Sequence, residues 1–197
     1  LLARTCKRSD AKNITLIMPC YPYARQDKKD NPRGCISARD VADLLEISGI
    51  NRIVCLDLHC PQIQGFFRIS CDNLYCNNIL KNFLFQNIFS KIDNYKDKHI
   101  VVAPDEGATK NNFRLASKLG CNCVSIFKHR EEANSISTMK LLGSVKDKVV
   151  IMVDDIIDTA GTACAASKIL KDDGAHEIYF FACHGLFSKN AIEKISN

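Results

Sequence analysis

The stretch from Val149 to Thr162 reads VVIMVDDIIDTAGT, and its reading decides the fold. The first five residues are β-branched or apolar without a polar break. A short apolar run of this kind, bounded by charge, is expected to be a strand buried in a parallel sheet. The strand is expected to end at the adjacent pair Asp154 and Asp155, with a third carboxylate at Asp158. Thr159, Ala160, Gly161 and Thr162 follow, and then Ala165, Ala166, Ile169 and Leu170 recur at helical spacing. Small and hydroxyl-bearing residues therefore occupy a strand-to-helix turn. In α/β sheets that turn lies at the carboxyl end of the strands, where ligands bind.

The chemistry of the turn points to a sugar phosphate. Backbone N–H groups at a helix N-terminus favour an anion, and Gly161 allows close backbone approach. Thr159 and Thr162 add hydroxyl donors. The carboxylates would repel a phosphate, so they need another task. Carboxylates accept hydrogen bonds from vicinal hydroxyls, directly or through Mg²⁺. A phosphate cradle beside hydroxyl acceptors describes a ribose 5-phosphate site. A solvated acidic turn is the competing reading. It is disfavoured because a carboxylate at the end of a hydrophobic strand is costly without a ligand or cation.

Working outward, strand and helix patterns alternate along the chain. Strands are expected over 14–20, 53–58, 100–103, 123–127, 148–153 and 178–183, and helices over 37–48, 75–89, 110–119 and 164–171. Ser37 is expected to cap the first of these helices, with Gly49 and Gly120 as stops. Residues 91–99 read as a polar surface loop. Repeated βα units imply parallel sheets with helices on both faces. The 197 residues suffice for one large domain or two small ones.

Composition excludes several classes. Charged residues at 25% and hydrophobic residues at 46% describe an ordinary soluble globular chain. No apolar run approaches the ~20 residues of a membrane span. The net charge of +5 suits anionic substrates. No basic stripe with interleaved aromatics argues for nucleic acid. The 11 cysteines are odd in number and form no framework, which argues for reduced thiols in a cytoplasmic setting. Cys20, Cys55, Cys123 and Cys183 are read as small hydrophobes inside strands. Cys121, Cys123 and the Cys183–His184 pair could in principle hold zinc, but their spacing matches no common ligand pattern. The opening LLARTCKRSDAKN reads as the end of a helix that begins upstream, so the chain is expected to be part of a longer protein.

Other strand ends carry chemistry too. PCYPYARQDKKDNPR gathers Arg25, Lys28, Lys29 and Arg33 around Gln26 and Asp27. Arginine forks recognise phosphates and a glutamine can read a base or ribose edge, although composition alone would equally describe a solvated loop. His59 ends a strand in DLHCPQIQGFF and Asp105 ends another in APDEGATK. Together they could hold a nucleotide-bound Mg²⁺, with His59 acting through a water or a phosphate oxygen. Lys128 and Arg130, in FKHREEAN, could close over transferring phosphates or be ordinary solvated charges.

The strings PCYPYARQDKKD, DLHCPQIQGFF, DNLY, VDDIIDTAGT and CHGLFS, in this order, resemble the ribose-phosphate pyrophosphokinase family along nearly the whole chain. The resemblance implies two phosphoribosyltransferase-type α/β domains with parallel sheets flanked by helices. Residues 1–75 would be the remainder of a truncated N-terminal domain and residues 76–197 the C-terminal domain. It implies transfer of the β,γ-diphosphoryl group of Mg·ATP to the 1-hydroxyl of ribose 5-phosphate, yielding phosphoribosyl diphosphate and AMP. By position, Arg25, Gln26, Asp27 and His59 would contact ATP, and His59 and Asp105 would bind the metal. Lys128 and Arg130 would form the catalytic loop. Asp154, Asp155, Asp158, Thr159, Ala160, Gly161 and Thr162 would hold ribose 5-phosphate. Lys29, Gln64, Asp72 and Asn73 would bind regulatory phosphate or ADP. The family assembles as dimers that build hexamers. Glu106 to Thr109 depart from the family's Gly-Gly-rich turn, and Asn111 stands where an arginine is common. Two other functions stay in view: a phosphoribosyltransferase, and a regulatory subunit without turnover.

Overall fold

A computed structural model of the chain describes residues 1–29, 31–92, 94–129 and 138–196. By internal contacts it divides into two compact units, Leu1–Cys76 and Asn77–Asn197. Among the described residues no helix is long and apolar enough to cross a membrane.

The first unit begins with helix α1 (Leu2–Arg8) and strand β1 (Thr15–Met18), followed by α2 (Ser37–Ile47) and β2 (Arg52–Leu56). A 3-10 turn (Pro61–Phe66) then leads into β3 (Ser70–Leu74). The strands form a parallel sheet in the order β1-β2-β3. Its core gathers Ile53, Cys55, Ala38, Ala42, Ile63 and Phe67. Tyr21 belongs to this core rather than to a solvated loop: it is buried, and its hydroxyl donates to the Ala38 carbonyl at 2.8 Å. Strand β3 escaped the sequence pattern because SCDNL has little apolar content. Its ladder to β2, from Arg52↔Ser70 to Leu56↔Leu74, supplies what propensity does not.

Ser37 is not the cap of α2. It is the first helical residue, and its hydroxyl donates to the Gln26 side-chain oxygen at 2.8 Å. The carbonyl of Gln26 instead accepts the Ala38 N–H at 3.2 Å. Cys20 lies beyond β1 and is exposed, contrary to its reading as a buried strand residue.

The second unit runs α3 (Asn77–Asn87), a 3-10 turn (Phe89–Lys91), α4 (Tyr95–Lys98), β4 (His99–Ala103), α5 (Thr109–Leu119) and β5 (Asn122–His129). It continues with β6 (Thr138–Leu142), β7 (Val149–Ile157), α6 (Gly161–Asp172), β8 (Glu177–Gly185) and α7 (Ala191–Ser196). The sheet order is β6-β5-β4-β7-β8. All pairings are parallel except β5 with β6, which is antiparallel. Sequence reading expected parallel pairing throughout; an antiparallel edge strand on a parallel sheet is a familiar variation.

The period of two along the strands explains the unbroken apolar run. Val101, Ile151 and Val153 pack into one core with Leu84, Leu115 and Leu119. Ile100, Val102, Val150 and Met152 pack into another with Ala166 and Leu170. Alternate residues point to opposite faces, and helices cover both, so every position of VVIMV is buried. Residues 91–99 are not a plain surface loop. Tyr95 stacks on Phe89 with ring centroids 4.6 Å apart, and Phe85 meets both rings edge-on.

Candidate active site

Strand β7 does not end at the aspartate pair. It continues through Asp154 and Asp155 to Ile157, because β8 pairs alongside it as far as Ile157↔Gly185. On its other side, pairing with β4 stops at Val102↔Met152. The carboxylates therefore stand where the sheet opens on one side only. Asp154 and Asp155 are half-buried, and Asp154 accepts a hydrogen bond from the Asp155 N–H at 2.9 Å. Burial first, then the charges of Asp155 and Asp105, raise Asp154 to about 7. Three carboxylates thus share one field in this unit, an arrangement that a cation or hydroxyl donors would relieve.

The turn after β7 has a specific shape. Ala160 is buried and adopts φ 59°, a left-handed conformation uncommon for a residue with a side chain. Gly161, expected to allow close backbone approach to an anion, opens α6, and a Cβ there would meet only Thr159 Oγ1, at 3.7 Å. Among the described residues no side chain caps α6, so its first-turn N–H groups remain available to an anion. The chain after β8 braces the turn from behind. Leu186 N–H donates to the Ile157 carbonyl at 2.8 Å and Ser188 N–H to that of Asp158 at 3.0 Å. The ammonium of Lys194 reaches the Thr159 carbonyl at 3.4 Å. Thr159 and Thr162 are partly exposed.

Asp105 lies two residues beyond the end of the neighbouring strand β4. Its Oδ1 accepts the Ala108 N–H at 3.0 Å, and its carbonyl accepts the Thr109 hydroxyl at 3.1 Å. Glu106 is exposed in this turn. Asn111 accepts from the buried Asn77 amide at 2.7 Å, so it joins α5 to α3. The donor set of this unit, carboxylate oxygens in a partly buried cluster, fits a hard oxygen-seeking cation such as Mg²⁺.

In the first unit, Arg25 and Lys29 are exposed, while Gln26 and Asp27 are partly buried. Gln26 is pinned to the start of α2 through Ser37. In the turn that carries the exposed His59, the Cys60 thiol donates to the Gln62 side-chain oxygen at 2.7 Å, and burial raises its pKa. Asn73 accepts the Leu58 N–H at 3.0 Å, so it buttresses that same turn. Asp72 pairs instead with Arg52 at 2.6 Å, and Gln64 donates to the Pro61 carbonyl at 3.0 Å. Successive strand positions face opposite sides of a sheet, so Asp72 and Asn73 diverge. Lys128 lies on β5 opposite Met139 in the backbone ladder. Its side chain, and Arg130 altogether, lie outside the described residues.

Two of the cysteines considered for zinc, Cys121 and Cys123, behave as small hydrophobes. Cys121 and Cys123 pack against the second unit's core, and burial raises the Cys123 thiol to about 11. Burial likewise raises Cys55 to about 12. Sequence reading passed over two residues that shape the site. Asn112 carried a usable signal, since an asparagine at the first place of the apolar series 112, 115, 116 and 119 must bury its amide. Lys194 carried none, because its reach to Thr159 depends on how α7 folds back.

The second unit is an α/β domain, a mainly parallel sheet flanked by helices, with a carboxylate cluster where β7 outruns β4. Comparison with known proteins narrows it. Residues 1–49 match the family model described as the N-terminal domain of ribose phosphate pyrophosphokinase, and residues 125–197 the phosphoribosyl synthetase-associated domain. The chain is 43% identical over 196 residues to ribose-phosphate pyrophosphokinase 2 of Schizosaccharomyces pombe, covering 100% of this chain and 60% of that protein. The crystal structure of phosphoribosylpyrophosphate synthetase from Mycobacterium smegmatis matches with a TM-score of 0.88 at 39% identity. That match covers 100% of this chain and 62% of the other. The chain belongs to the ribose-phosphate pyrophosphokinase family and spans about 60% of the length of these relatives.

Proposed function

We propose that the protein transfers the diphosphoryl group of Mg·ATP to the 1-hydroxyl of ribose 5-phosphate, giving phosphoribosyl diphosphate and AMP for nucleotide synthesis. The observation that carries this reading is the loop from Asp154 to Thr162. It sets an uncapped helix start beside half-buried carboxylates, one of them raised to about 7. The helix start and the two threonines would take the 5-phosphate. Asp154, Asp155 and Asp158 would accept the ribose hydroxyls and hold the sugar for in-line attack.

Arg25, Gln26, Asp27 and His59 would receive the nucleotide, and Asp105 with His59 would hold Mg²⁺. When bound, Mg²⁺ would neutralise charge on the transferring phosphates. Lys128 and Arg130 would stabilise charge that develops during transfer, where positioning and electrostatics do most of the work. Lys29, Gln64, Asp72 and Asn73 belong to the proposal as a regulatory phosphate or ADP site. The Asn73 contact to the His59 turn offers such a site a route to the nucleotide end. A cytoplasmic homo-oligomer of dimers building a hexamer completes the reading.

Incubation of the full natural protein with Mg·ATP and ribose 5-phosphate, with AMP and phosphoribosyl diphosphate measured together, tests it. Formation of both in equal amounts is expected. Consumption of phosphoribosyl diphosphate with a nucleobase would instead mark a phosphoribosyltransferase. Nucleotide binding without turnover would mark a regulatory subunit.

A further inference from the structure

Strand β7 meets an uneven boundary at Val153. Toward β8 it keeps its partner, Phe181. Toward β4 the ladder has already stopped one residue earlier, at Met152. The N–H and C=O of Val153 would be orphaned on that side, in a position where only 7% of the residue is exposed.

Asn112, on α5, fills the gap. Its side chain has no exposed surface. Its Oδ1 accepts the Val153 N–H at 3.2 Å, and its Nδ2 donates to the Val153 carbonyl at 2.7 Å. A primary amide presents a donor and an acceptor much as a peptide group does, so Asn112 acts as one more residue of the missing ladder. The other Nδ2 hydrogen goes to the Ala108 carbonyl at 2.9 Å. Ala108 in turn gives its N–H to Asp105 Oδ1. One buried amide therefore holds the peptide that leads directly into Asp154 and the turn that fixes Asp105.

We infer that Asn112 is a positioning residue: its side-chain amide sets the Asp105 turn and the Asp154–Asp155 pair in register with each other, so that the two substrates' carboxylate contacts are aligned for transfer. This rests on the proposed diphosphoryl transfer. An apolar side chain of the same size would keep α5 packed but release both peptide groups of Val153. Misplacement by about 1 Å can cost up to ~100-fold in rate.

The test uses the full natural protein and three variants. Asn112→Leu removes all three amide bonds, and Asn112→Ser keeps a hydroxyl able to replace part of them. Leu115→Ala, in the same helix and fully buried in the core, measures the effect of destabilisation alone. Steady-state constants for both substrates and denaturant stability are recorded for each. The expected result is a loss of roughly 10–100-fold in kcat/KM for ribose 5-phosphate in Asn112→Leu, carried mainly by kcat, with Asn112→Ser between it and the parent. Leu115→Ala should lose stability and keep its kinetic constants. If Asn112→Leu does not fold, the same split in Asn112→Ser decides. Asn112 variants that lose only stability, as Leu115→Ala does, overturn the inference while the proposed function stands. An unsubstituted protein that forms no AMP overturns the function itself, and the inference with it.

Discussion

Asp154 accepts a hydrogen bond of 2.9 Å from the backbone N–H of Asp155, yet burial of the site, with the charges of Asp155 and Asp105, still raises Asp154 to about 7. One local donor does not offset desolvation and two neighbouring carboxylates. The folded chain therefore binds this proton more tightly than the unfolded chain, whose Asp titrates near 3.8. The stabilisation is complete below that value and is lost as pH rises through about 7. Asp154→Asn should then raise the thermal midpoint at pH 8 in chelator by a few degrees, with little change at low pH. It should also weaken ribose 5-phosphate binding while nucleotide binding changes less. A variant that is no more stable at pH 8 would show that Asp154 titrates normally.

Lys128→Ala and Arg130→Ala are each expected to lower turnover by roughly 10²–10³-fold while nucleotide still binds. Stopped assays of AMP release and nucleotide titration on the same preparations separate the two effects. Turnover within a few-fold of the parent in either variant would make that residue an ordinary solvated charge.

His99 is buried at the start of β4. Its Nδ1–H donates to the Tyr95 carbonyl at 2.8 Å, and its buried Nε2 has no hydrogen-bond partner among the described residues. Burial lowers its pKa below the usual 6.5; the Tyr95 carbonyl and Glu177 oppose the shift, and Lys98 adds to it. The unfolded chain takes up a proton near 6.5 that the folded chain refuses, so stability falls as pH drops below that value. His99→Phe, which can keep the edge contact with Phe89, should flatten the stability profile between about pH 7 and 5. Urea titrations across that range measure it, and parallel profiles for parent and variant would remove His99 as the cause.

Ala160 holds a left-handed backbone at φ 59°. Glycine adopts this conformation without a steric cost, although it also gains freedom when unfolded. Ala160→Gly should on balance stabilise the chain by up to about 1 kcal/mol. Denaturant midpoints at constant slope test this, and a loss of stability would mean that the buried methyl group contributes more than the strain removes.

The sequence by itself determined the alternation of strand and helix, the parallel core of the second unit and the place of the carboxylate loop. Each rests on local pattern. The short β-branched run VVIMV reads as a strand covered on both faces, and the small residues 159–162 read as a turn into a helix. The family was legible for the same reason, since its strings are contiguous. Tertiary structure decided the rest. Strand β7 runs past the aspartates because β8 pairs there, and β3 exists because β2 offers a ladder. Ser37 yields its capping role to the carbonyl of Gln26, eleven residues back in sequence. Tyr95 leaves an apparently polar loop because Phe85 and Phe89 present rings for it to pack on. The place of Asn112 in the apolar series of α5 announces a buried amide, but its partner Val153 lies 41 positions away. Hydrogen bonds that close between distant residues leave no periodic trace in the chain, so what this buried amide pairs with is decided only by the packing of α5 against β7.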